Sequence, residues 1–153
     1  MRLLDANGQR VDPSSVDWSK YAKGIPYKIV QGSGEKNALG VMKFNFDNPY
    51  FVYLHDTNQR GFFSREMRAL SHGCVRVENW KGLSEYIARN DSIQKKAEDT
   101  LSYTSDSLSV WIASGKRKYV SVKNPIPIYL QYVTCIGENG RIKFMEDIYG
   151  DDK

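Results

Sequence analysis

Short apolar runs alternate with polar or glycine-containing breaks over the first third of the chain. This spacing is typical of β-strands joined by turns. The runs predict strands at residues 2–6, 26–31, 39–46 and 50–54, the last of them buried. Turns are marked by Asn7-Gly8, Gly32-Ser33-Gly34 and Asn48-Pro49. We expect these strands to form antiparallel meanders rather than parallel strands with helical crossovers.

The hydrophobic period becomes helical after residue 78. Asn79 is a suitable N-cap for a helix running through Ala88, because an asparagine side chain can accept a backbone N–H of the first turn. A second helix is predicted over residues 92–100. A short third helix is predicted over residues 108–113, where Gly115 stops it.

The last part of the chain returns to apolar runs of strand character. Strands are predicted at residues 118–122, 126–136 and 141–144. Asn139-Gly140 joins the last two, and this dipeptide between apolar runs is a strong hairpin signal. The 153 residues contain no linker or internal repeat, so a single domain over residues 1–153 is predicted. The predicted fold class is α+β, mostly β.

Apolar runs in this sequence fall short of the ~20 residues needed to cross a bilayer, so the chain is not predicted to be membrane-spanning. No signal peptide is visible at the start of the sequence. The net charge of +4 is spread over scattered lysines and arginines, which indicates an ordinary solvated surface, with attraction to an anionic polymer as the alternative. Nucleic acid is not expected as a partner, since no recognition motif accompanies the charge.

Both histidines and one of the two cysteines lie within residues 53–77. Histidine moves protons near neutral pH, and cysteine is a ready nucleophile. Gly73 lets the backbone come close to a ligand, so that its amide and that of Cys74 could stabilise an oxyanion. Two bases are candidates: His72, close to the cysteine in sequence, and His55, at the end of a predicted strand. Asp56 could orient the base through its side chain or its backbone carbonyl.

Three other interpretations of this cluster stay open. Cys74 could be a small buried hydrophobic residue, or it could form a disulfide with Cys135. A zinc site is the third interpretation, although neither a second cysteine pair nor H-x-x-x-H spacing supports it. Its ligands would be His55, His72 and Cys74, with Asp56 or Asp47 as a fourth.

The candidate residues also belong to a longer sequence motif. His55 is followed by fifteen residues and then by Ser71-His72-Gly73-Cys74-Val75-Arg76. This pattern resembles the active-site signature of the L,D-transpeptidase catalytic domain (YkuD-like). The chain from about Val11 onward is also similar to the larger periplasmic subgroup from Gram-negative bacteria. The similar segments are residues 37–40, 43–44, 52–57, 68–70, 75–77, 126–128 and 147–150.

The resemblance implies a mostly β, sandwich-like domain with Cys74 as nucleophile in a cleft. Cys74 would attack a donor tetrapeptide stem of peptidoglycan, release D-alanine and form a thioester. An amine of a neighbouring stem would then take the acyl group, giving a 3-3 cross-link. His55 would be the base, held by the carbonyl of Asp56, and His72, Gly73 and Cys74 would line the oxyanion site. Substrate binding would fall to Ser71, Arg76, Tyr53 and Arg68.

The resemblance also implies that no metal or cofactor takes part, that carbapenem-type β-lactams are covalent inhibitors, and that the protein acts in the periplasm or cell envelope. Two alternatives stay open: an L,D-carboxypeptidase or other hydrolase of the same fold, and an inactive peptidoglycan-binding remnant. Family members carry further strands before this region, so we expect a chain that begins after them. An incomplete sheet would expose edges and apolar surface, which predicts low stability or dimerisation.

Overall fold

The computed structural model describes residues 1–98, 100 and 103–152. Its strands form three small sheets, and two helices follow the second sheet in sequence. The α+β class, mostly β, is confirmed. Neither of the helices in these described ranges is long and apolar enough to span a membrane.

The first sheet has the order β2-β1-β3, with all pairs antiparallel. Its strands are β1 (Arg2–Leu4), β2 (Arg10–Val11) and β3 (Lys28–Val30). The carboxylate of Asp5 accepts the backbone N–H groups of Asn7 and Gln9 at 2.9 and 2.8 Å, which fixes the predicted turn at Asn7-Gly8. Leu3 is buried in the middle of this sheet.

The second sheet has the order β4-β5-β6, with strands β4 (Lys43–Phe44), β5 (Leu54–His55) and β6 (Val75–Arg76). β4 and β5 are antiparallel, whereas β5 and β6 are parallel. The expected antiparallel pairing of the early strands is thus confirmed for β4 with β5, whereas β6, which lies outside those predicted strands, pairs with β5 in parallel. A parallel pair needs a crossover of about a dozen residues or more, and the intervening loop provides it with a 3-10 helix at Arg60–Ser64.

The predicted strands at residues 39–46 and 50–54 shrink to the two-residue β4 and β5. The second prediction is also wrong about burial, because Tyr50 and Phe51 are 81% and 87% exposed. Asn48 explains the break. Its side chain accepts the N–H of Val52 at 3.0 Å and donates to the carbonyls of Phe46 and Val52 at 3.0 and 2.8 Å. A side chain that binds local backbone groups competes with a strand ladder.

Helix α1 spans Trp80–Ile93 and begins as predicted, with the Asn79 side chain accepting the N–H of Gly82 at 2.9 Å. It continues past the predicted end at Ala88. The predicted helix over residues 92–100 is wrong, because residues 94–98 and 100 are not helical; Asp99 lies outside the described residues. Residues 90–92 instead belong to α1, where the Asp91 side chain is fully buried.

Helix α2 spans Ser105–Ala113 and contains the third predicted helix. It begins earlier than predicted because Thr104 and Ser107 form a reciprocal capping box. Gly115, at φ +64°, follows its end as expected. Ala88, Tyr103 and Leu108 form the core between the helices, with Trp111 and Val120 packed against them.

The third sheet is the predicted hairpin of β7 (Cys135–Glu138) and β8 (Arg141–Phe144). Asn139 and Gly140 both have positive φ, at 51° and 73°, as a two-residue type I′ turn requires. The other two late predictions are largely wrong: residues 118–122 form no strand, and the run at 126–136 is a strand only from Cys135. Pro125 and Pro127 cannot donate to a ladder.

Candidate active site

The second sheet aligns one row of side chains across its three strands. Lys43 is paired with His55 in the β4–β5 register, and His55 is paired with Arg76 in the β5–β6 register. Paired residues of neighbouring strands share a face of the sheet, as do residues two apart in one strand. The row therefore shares its face with Tyr53 and Cys74, the residues two positions before His55 and Arg76.

Contacts across this face agree with the alignment. The rings of Tyr53 and His55 meet edge to face, with centroids 5.7 Å apart. The N–H of Val75 donates to the carbonyl of Tyr53 at 3.1 Å, which holds the cysteine segment beside the strand. Burial raises the pKa of Tyr53, and the neighbouring Cys74 thiol raises it further. Two strand ends thus place the cysteine, a phenol and an imidazole together.

His55 is buried, with 4% of its surface exposed. Its Nδ1 is hydrogen-bonded to the backbone carbonyl of Asp56, so Nδ1 carries the proton in the neutral ring and Nε2 keeps a lone pair. Burial lowers the pKa of His55, and the charges of Arg76 and Lys43 lower it further, against the opposing effect of Asp56. A pKa below the ordinary value leaves the ring neutral near pH 7, the state that a general base needs.

Asp56 faces two directions. Its carbonyl meets the His55 ring, while its carboxylate accepts the N–H of Val41 and the Nη1 of Arg60, each at 3.0 Å. Gly40 makes room for that carboxylate, because a Cβ at Gly40 would overlap it. Of the two ways in which Asp56 could orient the base, the structure contains the one through the backbone carbonyl.

The loop before the nucleophile is closed by Ser71. Its Oγ donates to the carbonyl of Cys74 at 2.6 Å and accepts the N–H of Gly73 at 3.2 Å. Gly73 has φ +139°, and a Cβ there would lie 3.0 Å from a methyl group of Val52, so the position requires glycine. The Gly73 amide is thus occupied by Ser71. Within the described part of the chain, the N–H of Cys74 has no acceptor and can serve an oxyanion.

The other predicted site residues divide into two groups. Arg76 lies at the site: both terminal nitrogens donate to the carbonyl of Leu70 at 3.4 Å, and the guanidinium lies 5.2 Å from the ring centroid of Phe62. It therefore supports the loop that leads to the cysteine. His72 and Arg68 are exposed. The His72 ring makes no hydrogen bond to a described residue, and Arg68 donates only to the carbonyl of Arg65, at 2.8 Å.

Two residues at the site were not found by sequence reasoning about chemistry. Lys43 places its Nζ 3.7 Å from the ring centroid of Tyr53, and its place at the site depends on the β4–β5 pairing, which no local signal in the sequence gives. Tyr149 donates its hydroxyl to the carbonyl of Ser71 at 3.3 Å. No local signal connects residues so far apart in sequence.

The geometry of the described residues supports neither the disulfide nor the zinc interpretation of this cluster. Cys74 and Cys135 are both free thiols, and Cys135 is exposed on the hairpin. No three histidine, cysteine, aspartate or glutamate side chains converge on a metal-sized site in the described ranges. A cavity of about 560 Å³ is lined by Asp56, Arg60 and Trp80. Cys74 does not line it.

Comparisons with known proteins agree with this geometry. The family model of the L,D-transpeptidase catalytic domain, YkuD, matches residues 4–128. A Haemophilus influenzae protein named "Putative L,D-transpeptidase" is 38% identical over 151 residues, which cover 99% of this chain and 29% of that protein. The chain thus spans less than a third of the length of this relative. The match over residues 4–128 shows that the chain belongs to the L,D-transpeptidase catalytic domain (YkuD) family.

Proposed function

We propose that this chain is a cysteine-dependent L,D-transpeptidase that acts on peptidoglycan stem peptides in the periplasm or cell envelope. The observation that carries the proposal is the shared sheet face of Cys74, Tyr53 and His55, with His55 held through Nδ1 by the carbonyl of Asp56. A nucleophile, a neutral base and a group that orients the base are the parts of an acyl-transfer site.

In the acylation step, His55 Nε2 takes the proton of the Cys74 thiol as the sulfur attacks the carbonyl carbon that precedes the terminal D-alanine of a tetrapeptide stem. The carbonyl oxygen becomes an oxyanion, which the free N–H of Cys74 stabilises. The carbon–nitrogen bond then breaks, and His55 returns the proton to the leaving amine. D-Alanine departs, and the stem remains on Cys74 as a thioester.

In the second step, an amine of a neighbouring stem attacks the thioester carbon and gives its proton to His55. The carbon–sulfur bond breaks, a 3-3 cross-link forms, and the thiolate recovers the proton from His55. The scheme assigns Gly73 and Ser71 to shaping the loop, since their mutual hydrogen bond fixes the backbone at the nucleophile. Tyr53 lies beside the sulfur, and Arg76 supports the loop that leads to it.

Intact-protein mass spectrometry after incubation with a carbapenem tests the nucleophile. We expect a single covalent adduct, formed when the Cys74 sulfur opens the β-lactam ring, and its complete loss in Cys74→Ala. Cys135→Ala is the matched control, because Cys135 is the other free thiol and lies exposed on the hairpin; this variant should keep the adduct.

Product analysis with a stem tetrapeptide and an amine acceptor separates transfer from hydrolysis. Cross-linked dimer supports the proposal, whereas the free tripeptide alone identifies an L,D-carboxypeptidase. A folded wild-type chain that forms neither an adduct nor a product contradicts the proposal and identifies a binding remnant. Circular dichroism of each sample establishes that the chain is folded.

A further inference from the structure

The ammonium group of Lys43, on the face of the second sheet that carries Cys74, has no acceptor among the described residues. It is exposed, and its Nζ lies 3.7 Å from the centroid of the Tyr53 ring. The electron-rich face of an aromatic ring attracts a cation but accepts none of its hydrogen bonds in the way that a carboxylate does. Lys43 is therefore held against Tyr53, the neighbour of the Cys74 thiol, with its hydrogen-bond donors unused among the described residues.

The row on this face contains two cations, Lys43 and Arg76. Arg76, the other cation of the row, is directed to the carbonyl of Leu70 and the ring of Phe62. The carboxylate of Asp56, the residue after His55, is already paired with Arg60 at 3.0 Å. Among the described residues Lys43 has no ion-pair partner, so this face presents a cation that favours an anionic group on the ligand.

The position of Lys43 indicates where that anion lies on the ligand. Cys74 attacks the carbonyl carbon of the bond to be broken, and the leaving residue extends from the nitrogen of that bond. When this residue is the last of the stem, its carboxylate is attached to the carbon next to that nitrogen. Lys43 contacts the Tyr53 ring, and Tyr53 in turn neighbours the Cys74 thiol, so the Lys43 ammonium group can reach that carboxylate.

We propose that Lys43 is a specificity-determining residue that binds the terminal carboxylate of the leaving residue of the donor. This inference rests on the proposed function. Lys43 would select donor stems that end one residue after the broken bond. A longer stem has an uncharged amide in place of that carboxylate and would bind Lys43 less well. A charge-assisted hydrogen bond distinguishes the two groups more strongly than a neutral one does.

The test compares two donors: an N-acetylated stem tetrapeptide and the same peptide with its terminal carboxylate converted to a carboxamide. The measured quantity is kcat/KM for release of D-alanine or its amide. We expect the wild-type chain to prefer the free acid by roughly 10-fold or more, the range for a hydrogen bond to a charged group. Lys43→Met should lose that preference by slowing the free acid far more than the carboxamide, and Lys43→Arg should retain most of it.

Lys28→Met is the matched control, because Lys28 is an exposed strand lysine of the first sheet; it should keep the wild-type preference. Thermal unfolding of Lys43→Met should match that of the wild type, which separates recognition from folding. Equal slowing of both donors, or an unchanged preference, would overturn the role of Lys43 alone. Failure of the wild-type chain to release product from either donor would overturn the proposed function and this inference with it.

Discussion

Asp56 and Asp91 are both buried carboxylates, with 5% and 0% of their surface exposed, but they bind different kinds of partner. Asp91 accepts the Tyr103 hydroxyl at 2.6 Å and the N–H groups of Lys123 and Asn124 at 2.8 and 2.7 Å. These three groups come from two separate parts of the chain, residue 103 and residues 123–124. Asp91 therefore joins α1 to the residues before α2 and to the segment after it.

Asp56 binds one backbone amide, that of Val41, and one side chain, Arg60, which is half exposed. Its contact with the site runs through its backbone carbonyl, which holds His55. A buried acid can therefore stabilise the fold with its side chain and a neighbouring site with its backbone carbonyl. Variants of the two residues should therefore separate stability from activity.

The largest effect is expected at Asp91. Burial alone would raise its pKa, but its hydrogen bonds lower the pKa below the ordinary value, so the ionised carboxylate is the bound form. Asp91→Ala leaves a hydroxyl and two amides without their acceptor, at a cost of roughly 1 kcal/mol or more for each group. We expect the free energy of unfolding to fall by about 3 kcal/mol in urea denaturation. A fall below about 1 kcal/mol would contradict the joining role of Asp91.

Asp91→Ala should affect stability but not the acylation chemistry. The fraction of the chain that stays folded should acylate at the wild-type rate, because Asp91 does not touch the second sheet. Asp91→Asn should be intermediate in stability, since its amide oxygen can accept one of the lost hydrogen bonds.

A smaller effect is expected at Asp56. Asp56→Asn removes the ion pair with Arg60 but keeps the backbone carbonyl on His55. Because Arg60 is half exposed, the free energy of unfolding should fall by only about 1 kcal/mol, and the acylation rate should stay within a few-fold of wild type. Asp47→Asn, an exposed acid of the preceding loop, serves as the control. A hundredfold loss of rate would show that the carboxylate, and not the carbonyl, orients the base.

Much of the site could be predicted because its residues are close in sequence. His55 and the segment from Ser71 to Cys74 fall within one window, and a nucleophile, a base and a glycine turn have recognisable chemistry. The Asn79 cap and the Asn139-Gly140 turn were predicted for a similar reason, since local hydrogen bonds determine both.

The parts of the fold and of the site that could not be predicted depend on contacts between residues that are distant in sequence. Asp91 lies in the polar stretch 90–92, which resembles a break between two helices. In the structure it is part of α1 and is bound by residues 103, 123 and 124. The parallel pairing of β5 with β6 likewise depends on a long loop, and the row of Lys43, His55 and Arg76 exists only once both pairings form. The sequence alone could not distinguish His55 from His72 by position.

The most direct measurement is the rate at which a carbapenem acylates Cys74, followed by intact mass in wild type, His55→Ala and His72→Ala. His55 is buried beside Tyr53 and held by Asp56, whereas His72 is exposed on the loop. Loss of a general base typically costs ~10²–10⁴-fold. We predict a loss in that range for His55→Ala and a clearly smaller one for His72→Ala. A larger loss in His72→Ala than in His55→Ala would contradict the assignment of His55 as the base.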